Sequence, residues 1–254
     1  MTIVAQPVQL CRALAVECHR REAAARVRLV TFAHAGGAAA TFHRWAPALA
    51  PAVELWPVTL PGRARRWREP CAREWPPLVD EIAGVIASEV PAPFALLGHS
   101  LGALVAFEVA RRLTAAGSSP AHLIVSGRPA PERPPATRLP SSDDELLAQI
   151  DALCGGVPQS VRDCPEVLEH FLPILRADLE LARGYALRPG ITLTCPITAV
   201  GGDADPLAPP LSLHGWGNHT AAGFELCVLA GGHFYLFDDE PAALATIRAR
   251  LFGG

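Results

Sequence analysis

The chain alternates short apolar runs with longer segments in which apolar residues recur at helical spacing. Continuous apolar runs of strand length are typical of strands covered on both faces by helices. The segment 101–116 predicts a helix that ends at Gly117, with Arg111 and Arg112 near its C-terminal end. Six apolar runs predict strands, at 27–32, 53–58, 94–97, 122–126, 197–200 and 224–229.

One interval interrupts this rhythm and predicts an insertion. Residues 128–140 are rich in proline and favour an extended connector. The acidic residues that follow Ser141 and Ser142 indicate a helix capped by one of these serines, and 165–184 predicts a second helix. We therefore expect one α/β domain over 1–254, with a mostly parallel sheet flanked by helices and a helical lid at about 139–188.

Composition narrows the classes of function. The 254 residues are 50% apolar with a formal net charge of -3, which argues against a dedicated nucleic-acid binder. No run approaches the roughly 18 apolar residues of a membrane span, and the N-terminus lacks the features of a signal peptide. These features predict a cytoplasmic protein that binds neither nucleic acid nor membrane.

The cysteines are best interpreted as free thiols that pack in the core or have no specific role. They are odd in number and form no C-x-x-C pair, which argues against a disulfide framework and a zinc site. We expect no metal and no organic cofactor. The seven are Cys11, Cys18, Cys71, Cys154, Cys164, Cys195 and Cys227.

The segment 98–102 reads G-x-S-x-G and lies between an apolar run and a predicted helix. A serine on such a sharp turn needs small neighbours two residues away on each side. Its hydroxyl is then exposed, and the N–H of the next residue points toward a developing oxyanion. A plain glycine-flanked turn is the simpler alternative. The strand–turn–helix context favours Ser100 as a nucleophile.

A serine hydrolase of this kind takes its acid and its base from later in the chain, in that order. His233 follows the last apolar run and two glycines, which allow a loop to return over the edge of the sheet. His99 adjoins Ser100 and should point away from it, whereas His122, His214 and His219 precede the last strand. His233 is therefore the predicted base.

Two acids follow the run at 197–200. Asp205 precedes a proline and lies farther out on the loop, whereas Asp203 is nearer the strand and could instead brace the turn. Asp205 is the predicted orienting carboxylate, with Asp203 as the alternative.

The run at 27–32 is followed by the sequence Ala33-His34-Ala35-Gly36-Gly37. Its glycines permit close approach of the backbone, so that the N–H of Ala35 could join that of Leu101 as an oxyanion donor. His34 could brace this loop or contact substrate. A glycine turn with a satisfied histidine is the alternative.

Motifs along most of the chain resemble the type II thioesterases that accompany polyketide synthases and nonribosomal peptide synthetases. They are FAHAGG at 32–37, LPGR at 60–63, GHSLGALVAFEVAR at 98–111, SGRPAP at 126–131, LRAD at 175–178, 201–206, Trp216 and GGHF at 231–234. Ala33 stands where proline is usual, and Leu101 where methionine is frequent. Neither change removes a backbone N–H.

The resemblance implies an α/β-hydrolase fold and hydrolysis of acyl groups from the phosphopantetheine thiol of acyl or peptidyl carrier proteins. It implies an editing role, the removal of stalled or aberrant chains, with small acyl thioesters as further substrates. The family's triad maps to Ser100, Asp205 and His233, and its oxyanion donors map to Ala35 and Leu101. A monomer is expected. Alternatives are a general carboxylesterase or lipase, an acyltransferase or cyclase, and a non-catalytic binding protein.

All 22 basic residues are arginine, which is typical of GC-rich codon bias and gives single arginines little weight. The densest run, residues 63–68, could bind an acidic carrier surface or the phosphate of the pantetheine arm, because guanidinium groups match phosphate bidentately. A solvated loop is the alternative.

Overall fold

The computed structural model describes residues 15–16, 18, 21–133, 139–157 and 159–253. Its strands form one six-stranded sheet in the order β2-β1-β3-β4-β5-β6, and every neighbouring pair is parallel. The six strand predictions and the mostly parallel sheet are confirmed. The strands are β1 Val27–Phe32, β2 Val53–Pro57, β3 Phe94–His99, β4 His122–Ser126, β5 Ile197–Gly202 and β6 Phe224–Leu229.

Helices cover both faces of this sheet. Successive residues of β1 point to opposite faces, so Val30 packs with α2 and α3, whereas Leu29 packs with α1 and α8. Each face therefore has its own apolar core. The helices are α1 Trp45–Leu49, α2 Trp75–Glu89, α3 Leu101–Ala115, α4 Asp143–Cys154, α5 Gln159–Arg162, α6 Pro165–Arg183, α7 Tyr235–Asp238 and α8 Glu240–Phe252.

The two edges of the sheet differ in exposure. Strand β6 is at one edge and is partly exposed, with Val228 46% exposed. Phe224 and Leu226 nonetheless pack against one core, and Cys227 and Leu229 pack against the other, so both faces of this edge strand are partly covered. At the other edge, β2 is buried throughout, and Val16 forms an antiparallel bridge with Val58 beyond its end.

Helices α4 to α6 lie between β4 and β5 in the chain, within the predicted insertion. Ser142 is the N-cap of α4, and its hydroxyl accepts the Glu145 N–H at 3.2 Å. Gly155 ends that helix in the left-handed conformation. Pro158 and residues 134–138 of the predicted connector lie outside the described residues, as does Cys11.

Parallel strands bring their carboxyl ends to one edge of the sheet, where ligands of open α/β sheets bind. The residues after β1, β3, β5 and β6 include Ala35, Ser100, Asp205 and His233. The topology therefore gathers these candidates at one edge. None of the described helices is long and apolar enough to span a bilayer.

Candidate active site

Ser100 occupies the sharp turn between β3 and α3. Its φ of 57° and ψ of -117° lie in a region that L-residues rarely adopt. The Ser100 N–H donates to the carbonyl of Ser126 at 2.8 Å, which anchors the turn to β4. A strained turn held in this way presents the serine at the carboxyl edge of the sheet.

The glycines on either side of Ser100 are required by close packing. A Cβ on Gly98 would overlap the backbone of Gly102, and a Cβ on Gly102 would overlap the carbonyl of Phe32. Backbone cannot move aside as the end of a flexible side chain can. The spacing of the G-x-S-x-G motif therefore reflects the contact of α3 with β1 and β3.

His233 and Asp205 form a buried pair. The His233 Nδ1 lies 2.9 Å from the Asp205 Oδ2, and the two side chains are 3% and 0% exposed. Because a carboxylate only accepts hydrogen bonds, Nδ1 carries a proton, and in the neutral imidazole Nε2 therefore has the lone pair. The other carboxylate oxygen accepts the N–H groups of Leu207 and Ala208 at 2.9 and 3.3 Å. These contacts fix the carboxylate and thereby the imidazole.

The structure separates the two candidate acids. Asp203 is exposed, and its Oδ1 accepts the Gly231 N–H at 2.8 Å. It thus ties the loop after β5 to the loop that carries His233. Of the two, Asp205 contacts the imidazole. The geometry therefore favours Asp205 as the orienting carboxylate, whereas Asp203 braces the loop.

The loop after β1 contains Ala35, which lines the same cleft as Ser100 and Leu101. Leu101 is the first residue of α3, so its N–H has no carbonyl partner within the helix. Gly36 has a φ of +77°, and a Cβ there would lie 2.7 Å from the ring of Phe171. A larger residue at this position would be strained by the positive φ and would require the Phe171 ring of α6 to shift.

A buried ion pair holds this loop. The guanidinium of Arg63 donates to both oxygens of Asp178 at 2.6 and 2.7 Å, and also to the carbonyl of Gly37 at 3.0 Å. The same Asp178 accepts the N–H of Gly36 at 2.8 Å. Asp178 belongs to α6, so one carboxylate joins the insertion to the loop of Ala35. Sequence reasoning missed this role, although LPGR and LRAD marked both residues as motif positions.

The ion pairs of the arginine run at 63–68 bear on both of its interpretations, a docking surface and a solvated loop. Arg63 and Arg66 are each 4% exposed, and Arg66 pairs with Glu69 at 2.6 Å and with Glu81 at 2.7 Å. These two side chains are committed to the fold. Within residues 63–68, the arginines that remain exposed are Arg65 and Arg68.

His99 lies behind His233 in the core. Its ring centroid is 5.0 Å from that of His233, and its Nδ1 is 2.9 Å from the Ser126 hydroxyl. That hydroxyl also bonds to Tyr235, which donates to the carbonyl of Val200 at 2.7 Å. Burial, followed by the nearby His233, lowers the pKa of His99 well below its usual value. A neutral His99 adds no positive charge beside an imidazolium that forms on His233.

The remaining candidate histidines have other partners. His34 places its Nδ1 2.9 Å from the carbonyl of Ala35, and burial lowers its pKa. Its ring packs against Phe234 with the centroids 4.9 Å apart, so it braces the loop and also lines a cavity. His122 bonds to Thr198, and His219 lies 2.6 Å from Glu132.

Two cavities meet at Ser100 and His233. One is a cleft of about 370 Å³ whose wall includes Ala35 and Leu101. The other, of about 150 Å³, lies under the insertion and is mostly apolar. Its lining includes Leu146, Ile150, Leu153, Val157, Phe171, Leu175 and Leu179.

Cys154 also lines the apolar cavity. Burial, and then the charge of Asp205, raises the pKa of its thiol to about 11, so it stays protonated near neutral pH and is a poor nucleophile. No cluster of three or more His, Cys, Asp or Glu side chains suited to a metal occurs within the part of the chain that the structure describes.

The sequence and the fold match known proteins. The thioesterase domain family model matches residues 27–251. The thioesterase PikA5 of Streptomyces venezuelae is 43% identical over 84% of this chain and 76% of its own length. The gramicidin S biosynthesis protein GrsT of Aneurinibacillus migulanus is 35% identical over 85% of this chain and 86% of its own.

A solved structure extends this similarity to the fold. The type II thioesterase BorB from the borrelidin biosynthetic cluster superimposes with a TM-score of 0.86 and 38% identity, over 94% of this chain and 98% of that chain.

Proposed function

This chain belongs to the thioesterase family, as a type II thioesterase of polyketide and nonribosomal peptide pathways with an α/β-hydrolase fold, and from that premise we propose its substrate and catalytic residues. The enzyme is a thioester hydrolase. It removes acyl groups from the phosphopantetheine thiol of acyl or peptidyl carrier proteins, and thereby clears stalled or aberrant chains.

One observation supports this proposal above the others, namely the junction of two unlike cavities at Ser100 and His233. A carrier-bound thioester has an apolar acyl chain on one side of the reacting carbonyl and a polar arm on the other. The apolar cavity under the insertion suits the acyl chain, and the open cleft suits the arm. The carbonyl then lies beside the serine.

Acylation begins at His233. The Nδ1–H bonded to Asp205 leaves Nε2 as the base that takes the proton of the Ser100 hydroxyl. The serine oxygen attacks the thioester carbonyl, and the N–H groups of Ala35 and Leu101 stabilise the oxyanion. The C–S bond then breaks, and the imidazolium returns its proton to the departing pantetheine sulfur.

Deacylation repeats these steps with water. His233 removes a proton from a water molecule, whose oxygen attacks the acyl carbon of the ester on Ser100. Collapse of the second oxyanion releases the carboxylic acid and returns the proton to Ser100. The Asp205 carboxylate stabilises the imidazolium in both halves of the reaction.

Two substrate series test this function against the alternatives. With one acyl group, kcat/KM is expected to be at least about tenfold higher for the carrier-bound thioester than for the ethyl ester, a difference of about 1.4 kcal/mol. Mass spectrometry of the products should show free acids. Preference for the oxygen ester would instead identify a carboxylesterase, and ring products would identify a cyclase.

The ion pair between Arg63 and Asp178 provides a test of how the oxyanion loop is positioned. Asp178→Asn removes the charge opposite a buried guanidinium, and breaking such pairs costs about 3 kcal/mol of unfolding free energy. The Gly36 N–H also loses its charged acceptor. We expect kcat to fall by about tenfold or more, part of the 10²–10³ that one oxyanion donor supplies, with a smaller change in KM.

Glu180→Gln is the matched control for this variant. Glu180 lies on the same helix and pairs with Arg73 at 3.6 Å, with the two side chains 50% and 76% exposed. Such surface pairs contribute little stability, so kcat and the thermal midpoint should stay near those of the unmodified enzyme. Equal kcat values for the two variants, measured below their unfolding temperatures, would contradict the positioning role.

A further inference from the structure

Three arginines in the wall of the cleft have no ionic partner among the residues that the structure describes. Arg128 follows β4, Arg133 lies farther along the same segment, and Arg183 is the last residue of α6. None of them forms an ion pair with any residue that the structure describes. By contrast, many other arginines of the chain do, among them Arg63, Arg66, Arg111, Arg112, Arg162 and Arg176.

The rest of the cleft wall does not neutralise these charges. Its described lining contains no aspartate or glutamate. Arg128 is partly buried, and burial lowers the pKa of its guanidinium. A cation withdrawn from water without a counter-charge is costly, and an anion bound in the cleft would offset that cost. The lining therefore favours a ligand with negative charge.

The charges are confined to one of the two cavities. The apolar cavity shares Ser100 and His233 with the cleft, but the described part of its lining contains no arginine. A thioester placed at Ser100 with its acyl chain in the apolar cavity must direct its thiol-bearing arm into the cleft. The phosphate at the far end of that arm then lies on the side of the cleft that contains the arginines.

We propose that Arg128, Arg133 and Arg183 form a subsite for the phosphate of the phosphopantetheine arm. Guanidinium groups bind phosphate oxygens through paired N–H donors, and several such groups can contact more of the oxygens of one phosphate than a single group can. This inference rests on the proposed function. It places the recognition of phosphate in the cleft and not on residues 63–68.

A pair of substrates that differ only in phosphate tests the subsite. The full-length enzyme is assayed with octanoyl-phosphopantetheine and octanoyl-pantetheine. We expect a preference of about tenfold in kcat/KM for the phosphorylated substrate, equivalent to about 1.4 kcal/mol. The preference should arise mainly in KM, because the phosphate contacts are present in both the ground state and the transition state.

The charge-matched pair of variants is Arg133→Gln with Arg183→Gln, against Arg65→Gln with Arg68→Gln. All four side chains are exposed, and each double variant removes two positive charges. The cleft variant should lower the preference to about twofold or less, since each lost contact weakens phosphate binding. The control should retain it. The variant Arg128→Gln gives a third measurement of the preference, at the partly buried position.

The outcomes are distinguishable. Equal kcat/KM for both substrates in the unmodified enzyme would overturn the subsite and leave the proposed function intact. Loss of the preference in the control, with its retention in the cleft variant, would also overturn the subsite. Misfolding of the cleft variant would lower kcat/KM for both substrates and leave their ratio unchanged. An unchanged ratio in that variant would likewise overturn the subsite. If neither thioester is hydrolysed, nor any carrier-bound acyl group, the proposed function itself fails.

Discussion

Replacing Ser100 by alanine is expected to lower kcat for thioester hydrolysis by a factor on the order of 10⁴ to 10⁶. The variant keeps the cleft, the proposed oxyanion donors and the pair of His233 with Asp205, but it has no oxygen to form the acyl-enzyme. The effect is measured as the rate of hydrolysis of a carrier-bound acyl group, which is detected through the free thiol that it releases. Turnover close to that of the unmodified enzyme would remove Ser100 from the mechanism.

The fold should tolerate this substitution. The φ of 57° at Ser100 is set by the packing of Gly98 and Gly102, and alanine is strained there to a similar degree as serine. We expect the free energy of unfolding to change by about 0.5 kcal/mol or less. A fluorophosphonate probe should label the unmodified enzyme and not the variant. Equal labelling of both would indicate a different nucleophile.

Replacing Asp205 by asparagine is expected to lower kcat by a factor on the order of 10⁴, while KM changes much less. The amide has nearly the shape of the carboxylate, and its oxygen can still accept the N–H groups of Leu207 and Ala208. The amide nitrogen then faces His233 and donates to Nδ1. This places the imidazole proton on Nε2, where a lone pair is needed to take the proton of Ser100.

Asp203→Asn is the matched control, two residues away on the same loop. Asp203 is exposed and contacts the Gly231 N–H, which an asparagine oxygen can also accept. Its kcat should therefore stay within about threefold of the unmodified value, the spread that a single surface contact of below about 0.7 kcal/mol would produce. A large loss in the Asp203 variant, with little loss in the Asp205 variant, would exchange the roles of the two acids.

The sequence by itself predicted the local elements well. The six strands were located to within two residues of their observed ends, because each is a short apolar run bounded by turn residues. The position of Ser100 was equally readable, since G-x-S-x-G after a strand and before a helix is a local pattern. The cap at Ser142 and the stop at Gly155 likewise depend on neighbouring residues only.

Tertiary structure decided which residues act together. Asp203 and Asp205 have the same chemistry and nearly the same position in the chain, and only the approach of the His233 loop separates them. The edge position of β6 depends on the strand order, which is a property of the whole sheet. No local pattern encodes either result.

The arginines show the same division most clearly. In the sequence they are one class, and residues 63–68 stood out only by their density. The fold buries Arg63 against Asp178, more than a hundred residues later in the chain. It places Arg128, Arg133 and Arg183 in the wall of the cleft at Ser100, with no ion pair to any described residue. The spacing of apolar residues determines helices and strands because it depends only on residues that are close together in the chain. The partner of a charge is determined by packing between distant segments, which only the folded chain brings together.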